Sequence, residues 1–223
     1  MLTSGKYCIR RRRGKPMSFE LTQEEGEFLV KLARNTVKLY LENGKHPQPP
    51  EDTPQKLFAQ CGVFVTINTL GCEQNELRGC IGYPYPTSPL VEAVIDSAIN
   101  AATEDPRFDP VEPEELPRVV FEVSVLTPPE LVKTDDPREY VKKIKVGEDG
   151  LIIEQGYRRG LLLPQVPIEW GWGEEEFLCQ CCLKAGLPPD SWLTKNTKLY
   201  RFKAIIFTEE APDGPIKRLN LKK

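Results

Sequence analysis

The sequence predicts an α+β fold, a mixed or antiparallel sheet with helices packed on it. Three observations carry this. Three stretches repeat apolar residues at helical spacing, several short runs alternate or are rich in β-branched residues, and the two kinds do not alternate as strict βαβ units. The 21 prolines mark strand ends and loops and argue against an all-helical chain.

The elements follow in order. TQEEGEFLVKLARNTVKLYLENG (22–44) is the first helix, with Phe28, Leu29, Leu32, Val37, Tyr40 and Leu41 on one face. Thr22 and Glu25 have the spacing of a capping box, and Asn43-Gly44 is a stop. A proline-rich loop over 45–54 holds the sole histidine, His46. CGVFVTI (61–67) is a strand, and NELRGCIGY (75–83) is its expected hairpin partner across a polar turn. SPLVEAVIDSAINAAT (88–103) is a second helix capped by Ser88 and stopped by Asp105-Pro106. RVVFEVSVL (118–126) alternates as a strand. Two short strands are expected in YVKKIKVGEDGLIIEQ (140–155) around the turn Glu148-Asp149-Gly150. RGLLLPQV (159–166) reads as a buried strand broken by Pro164. EEEFLCQCCLKAGL (174–187) is the third helix, and KLYRFKAIIFTEE (198–210) a single closing strand.

Charge is unevenly placed. The formal net charge is −3, yet residues 1–15 hold six cationic residues and 214–223 hold four, which leaves −13 on the body. Basic ends suggest nucleic-acid arms or solvated tails, and the acidic body, which repels phosphate, favours tails. No apolar run approaches the roughly 20 residues that span a membrane, and no apolar segment follows the N-terminal arginines, so a cytosolic protein is expected. Seven cysteines at irregular spacing, with one histidine, do not form a disulfide framework or a zinc pattern. A Cys61–Cys72 disulfide stays open. No cofactor motif is present: neither a P-loop, a dinucleotide glycine pattern, G-x-S-x-G nor HExxH.

The chemistry centres on LRGCIG (77–82). In a regular strand Leu77, Gly79 and Ile81 face the core, while Arg78, Cys80 and Gly82 share the opposite face, with Arg78 and Cys80 about 7 Å apart. Gly79 and Gly82 leave room for a backbone or a ligand. A guanidinium beside a thiol lowers its pKa and favours the nucleophilic thiolate. Arg78 could equally hold a carboxylate or phosphate, or Cys80 could be a packed small hydrophobe. Glu122, on a strand with apolar neighbours, is the base for Cys80 or the counter-ion of Arg78. Asp105 and Arg107, in EDPRFDP, either rim the same cleft or tie down a helix-stop turn. Gln165, with Glu169, Trp170 and Trp172, either lines a pocket or belongs to a rigid loop. Any Cys–His dyad would need His46.

LRGCIG resembles the signature of the AMMECR domain family. LTQEEGEFLVKLAR (21–34), LVEAVIDSAINAATEDPRF (90–108), FEVSVLTPP (121–129), GLLLPQV (160–166) and EEFLCQCCLKAGLPPDSW (175–192) are similar to family segments in the same order. The resemblance spans about 17–210 and implies an α+β fold with a larger and a smaller lobe around a cleft. It also implies an association with Memo-like and radical-SAM proteins, and no particular reaction.

The expected organisation is a basic tail (1–16), one domain (17–213) and a second basic tail (214–223). The smaller lobe is 55–117, and the larger is 17–54 with 118–213. The function expected is a binding module whose cleft, with Gly79, Gly82, Asp105, Arg107 and Gln165, takes an unknown protein or a small anionic ligand. The alternative is a thiol enzyme acting through Cys80, Arg78 and Glu122. A nucleic-acid factor using the tails is a distant third. No metal or cofactor is expected.

Overall fold

The computed structural model describes residues 19–71 and 75–219. Its elements in chain order are α1 (Gln23–Asn43), β1 (Gly62–Thr69), β2 (Glu76–Tyr83), α2 (Leu90–Thr103), β3 (Val119–Leu126), β4 (Glu130–Leu131) and α3 (Tyr140–Lys143). They continue as β5 (Gly150–Gln155), β6 (Arg158–Leu162), α4 (Val166–Glu169), α5 (Glu174–Lys184), β7 (Lys198–Phe202), β8 (Ala204–Glu209) and β9 (Ile216–Leu219). The α+β class holds, and both sheets are antiparallel.

A five-stranded sheet runs β2-β1-β3-β8-β9. One face carries Val63, Val65 and Ile67, Phe121, Val123 and Val125, and Ile205 and Phe207, all buried under α1 and α2. The α1 cap is the expected capping box, with Thr22 and Glu25 each bonding the other's backbone N–H. Its buried Arg34 is clamped by both carboxylate oxygens of Glu209 on β8 and by the carbonyls of Leu116 and Val119, which bolts the helix to the sheet. The second sheet, β4-β7-β5-β6, packs Leu151, Ile153 and Leu199 against Phe177, Leu178, Cys181 and Cys182 of α5. A small apolar cluster of Leu126, Ile152 and Phe202, with Phe64, Tyr85 and Leu161 packed on it, joins the two sheets.

Three expectations are corrected. Tyr140–Lys143 is helical rather than a strand, because Asp136 caps a turn started by Pro137 that runs into it. The run 198–210 is two strands in different sheets. The chain crosses at Lys203, whose N–H donates to Thr127 Oγ1 and whose carbonyl accepts from Thr127 N. Ser88 does not cap α2, which begins at Leu90 after Pro89. Two further facts bear on organisation. Part of the basic C-terminal stretch is strand β9, paired with β8. The strands within 55–117 share a sheet with β3, β8 and β9, while 130–202 build the second sheet. The basic segment 1–16, Cys8, Cys72 and residues 220–223 lie outside the described residues. Among those described, no helix is long and apolar enough to cross a membrane.

Candidate functional site

The pairing of β1 with β2 is regular from Val63↔Tyr83 to Ile67↔Gly79 and then shifts, so that Asn68 faces Leu77. Arg78 is the extra residue of a β-bulge, which locally resets the alternation. Leu77 therefore moves to the face that carries Cys80, where it is 41% exposed instead of buried. Arg78 turns away from the thiol. Its Nε and Nη2 donate to the two oxygens of Glu115 at 2.8 and 2.9 Å, and Nη1 donates to the carbonyl of Asp109 at 2.8 Å. The pair holds Glu115 below the usual carboxylate range. The expected Arg78–Cys80 arrangement is not formed, nor is an Arg78–Glu122 ion pair.

Gly79 faces α2. A Cβ there would lie 2.1 Å from the Ala101 carbonyl oxygen, so the missing side chain lets a helix approach, not a ligand. At Gly82 a Cβ would come 2.2 Å from the carbonyl oxygen of Val63, again a backbone approach.

Asp105 and Arg107 finish the edge of β2. The buried Asp105 accepts the Cys80 N–H at 2.8 Å, and Arg107 reaches the Cys80 carbonyl at 3.5 Å. Arg107 is itself paired with Asp105 at 2.8 Å. The two side chains occupy the hydrogen-bonding groups that a neighbouring strand would take, which protects an exposed sheet edge. Arg107, with help from the two backbone N–H groups, drives the Asp105 carboxyl far below its ordinary value. The helix-stop reading of EDPRFDP therefore fits the geometry.

Because the Cys80 N–H points outward, Cys80 and Thr66 form a non-hydrogen-bonded pair, whose side chains come close. Thr66 Oγ1 donates to Cys80 Sγ at 3.2 Å. Burial raises the thiol pKa, partly offset by Thr66 and by the charge of Arg107. From Cys80 the register continues across the open face through Thr66, Glu122, Thr208 and Lys217. Glu122, half-buried in the middle of this row, has its pKa pushed up to about 7 by burial, against the effect of the Ser124 hydroxyl. Sequence reasoning found Cys80 and Glu122 separately but missed Thr66 and Thr208, whose signal was the strand register alone.

Gln165 opens α4 and stands apart from the row, as do Trp170 and Trp172, which stack with centroids 6.1 Å apart. His46 pairs with Asp96 of α2 at 2.7 Å and not with a cysteine. Cys61 is a free, buried thiol. Among the described residues no cluster of three His, Cys, Asp or Glu could hold a metal ion. Two surface depressions among the described residues, of about 600 and 510 Å³, lie elsewhere. One surrounds the β5–β6 turn at Tyr157 and the other borders α3 at Tyr140 and Lys143.

The fold and site define an α+β protein built on two antiparallel sheets, with a bulged cysteine strand at one edge. The AMMECR1 family model matches residues 30–207, and the chain belongs to that family. Protein PH0010 of Pyrococcus horikoshii is 59% identical over 203 residues, covering 91% of this chain and 98% of the relative. Protein MK0488 of Methanopyrus kandleri is 52% identical over 206 residues, covering 92% and 98%. The crystal structure of the uncharacterized protein PH0010 superposes with a TM-score of 0.82 at 57% identity, covering 91% of this chain and all of that one.

Proposed function

We propose that this chain is a non-catalytic, cytosolic binding module whose contact surface is the polar row beside LRGCIG. One observation carries the reading. Of the charged groups expected to serve Cys80, Arg78 is engaged by Glu115 and Asp105 by Arg107 and the Cys80 N–H, while Glu122 stands two strands away from the thiol. What remains open is a half-buried row of thiol, hydroxyl and carboxyl groups on a rigid sheet, a surface suited to recognition. The Memo-like and radical-SAM proteins implied by the family resemblance are the partners to try first. Alkylation of the folded full chain by iodoacetamide against pH, read by peptide mass mapping, tests the reading. Cys80 should react slowly at neutral pH, with an apparent pKa above the unperturbed value of about 8.5. Fast reaction at pH 7 by Cys80 alone would reinstate it as a nucleophile.

A further inference from the structure

Glu122 has a carboxylate's appetite for a cation and no cation to satisfy it. Its row neighbours are Thr66 on β1 and Thr208 on β8. Two strands away in one direction lies Lys217, roughly 10 Å off by strand spacing, and Lys217 is paired with Glu210 at 2.9 Å. Two strands away in the other lies Cys80, beside which Arg107 is held by Asp105. Arg159 of the second sheet stacks on Tyr85 and pairs with Glu154. Lys217, Arg107 and Arg159 are thus engaged elsewhere, and among the described residues no cation forms an ion pair with Glu122. A carboxylate removed from water without a partner is unfavourable, and sites that keep one usually present it to a ligand or hold it protonated.

The hydroxyls beside it narrow the chemistry. Thr66 donates its proton to Cys80 Sγ, and Thr208 donates its own to the Glu209 carbonyl at 3.3 Å. With both protons committed, each oxygen has only lone pairs left to offer. The row therefore presents acceptors on two adjacent strands, Thr66 Oγ1 and the Glu122 carboxylate, with the buried Thr208 Oγ1 flanking them on the third. An anion would find there only the weak S–H donor of Cys80. A primary ammonium carries three N–H donors and one positive charge.

Resting on the reading of this face as a binding surface, we infer that the row receives a primary alkylammonium group of the partner, such as a lysine side chain, with Glu122 as its counter-ion. This replaces the small anion expected from LRGCIG, because the guanidinium that would have held an anion is bound to Glu115.

The experiment uses the full chain labelled with 13C at glutamate side-chain carboxyls, with the Glu122 resonance assigned by its loss in Glu122→Gln. The probes are n-butylammonium, N-acetyl-lysine methylamide and tetramethylammonium, each against sodium at equal ionic strength. Opposite charge within hydrogen-bond reach lowers a carboxylate's apparent pKa by about one to three pH units. The two primary ammonium probes should produce such a saturable drop at Glu122 alone, and tetramethylammonium, with no N–H, should not. Tighter binding of the lysine derivative than of butylammonium assigns a protein partner, and equal binding assigns a free amine. A Glu122 resonance that moves only as exposed glutamates do, or that answers tetramethylammonium equally, overturns the inference. That failure is separable from failure of the binding reading, which the Cys80 alkylation rate decides on its own.

Discussion

At the scale of single residues, the LRGCIG strand uses most of its chemistry on itself. Asp105 is the clearest case. Its carboxylate holds the Cys80 N–H, the Arg107 N–H and the Arg107 guanidinium while buried. Asp105→Ala leaves an edge amide and a cation without their partner, a loss on the order of 2–3 kcal/mol. Chemical denaturation should show that loss, with Cys80 alkylated faster as the edge frays. A catalytic Asp105 would instead leave stability unchanged. The residue-level expectations drawn from the sequence were only half legible. The chemistry of Arg78, Cys80 and Glu122 could be read, but their geometry depended on one inserted residue. Regular alternation put Arg78 beside Cys80, and the bulge, which no residue type announces, sent it to Glu115.

At the scale of elements, helix α2 and strand β2 approach as closely as backbones can. The Ala101 carbonyl sits where a side chain of residue 79 would begin. Gly79→Ala must push the helix away or break the strand, and overpacking of this kind costs about 1–3 kcal/mol. A thermal melt should show the drop, whereas Gly156→Ala, with open space around the position, should lack any packing clash and suffer only from its φ of 63°. Element existence was legible wherever a periodic pattern had explicit ends, as in α1 with its Thr22–Glu25 box and Gly44 stop. It failed where a local pattern continued through a change of partner. The β-rich run 198–210 has no turn signal inside it, yet the chain changes sheets at Lys203, a tertiary event fixed by the contacts of Thr127. Tyr140–Lys143 was expected to be a strand and is helical, because the turn begun by Asp136 and Pro137 leads directly into it.

At the scale of the whole molecule, the α+β class was legible from periodicity and the absence of βαβ alternation, while the division into two sheets was not, since it rests on pairings such as β1 with β3 and β5 with β7 that are remote in sequence. The same assembly sets how stability responds to pH. Asp105 is held below its ordinary 3.8, so its contribution is present above that value and is lost as acid protonates it. Glu122 is raised from 4.5 to about 7, so folding favours its protonated form; that contribution is full below 4.5 and is lost as pH rises through about 7. The fold thus ties down Asp105 and Glu115 at its sheet edge and leaves Glu122, on the central strand, without an ion pair among the described residues. The carboxyl resonances of the free full-length protein, followed from pH 3 to 9, test this most directly. Glu122 should titrate near 7, while Asp105 and Glu115 titrate below the usual carboxylate range. A Glu122 that titrates near its ordinary 4.5 would contradict it, because such a carboxylate is either solvated or already paired and has no place for a partner's cation.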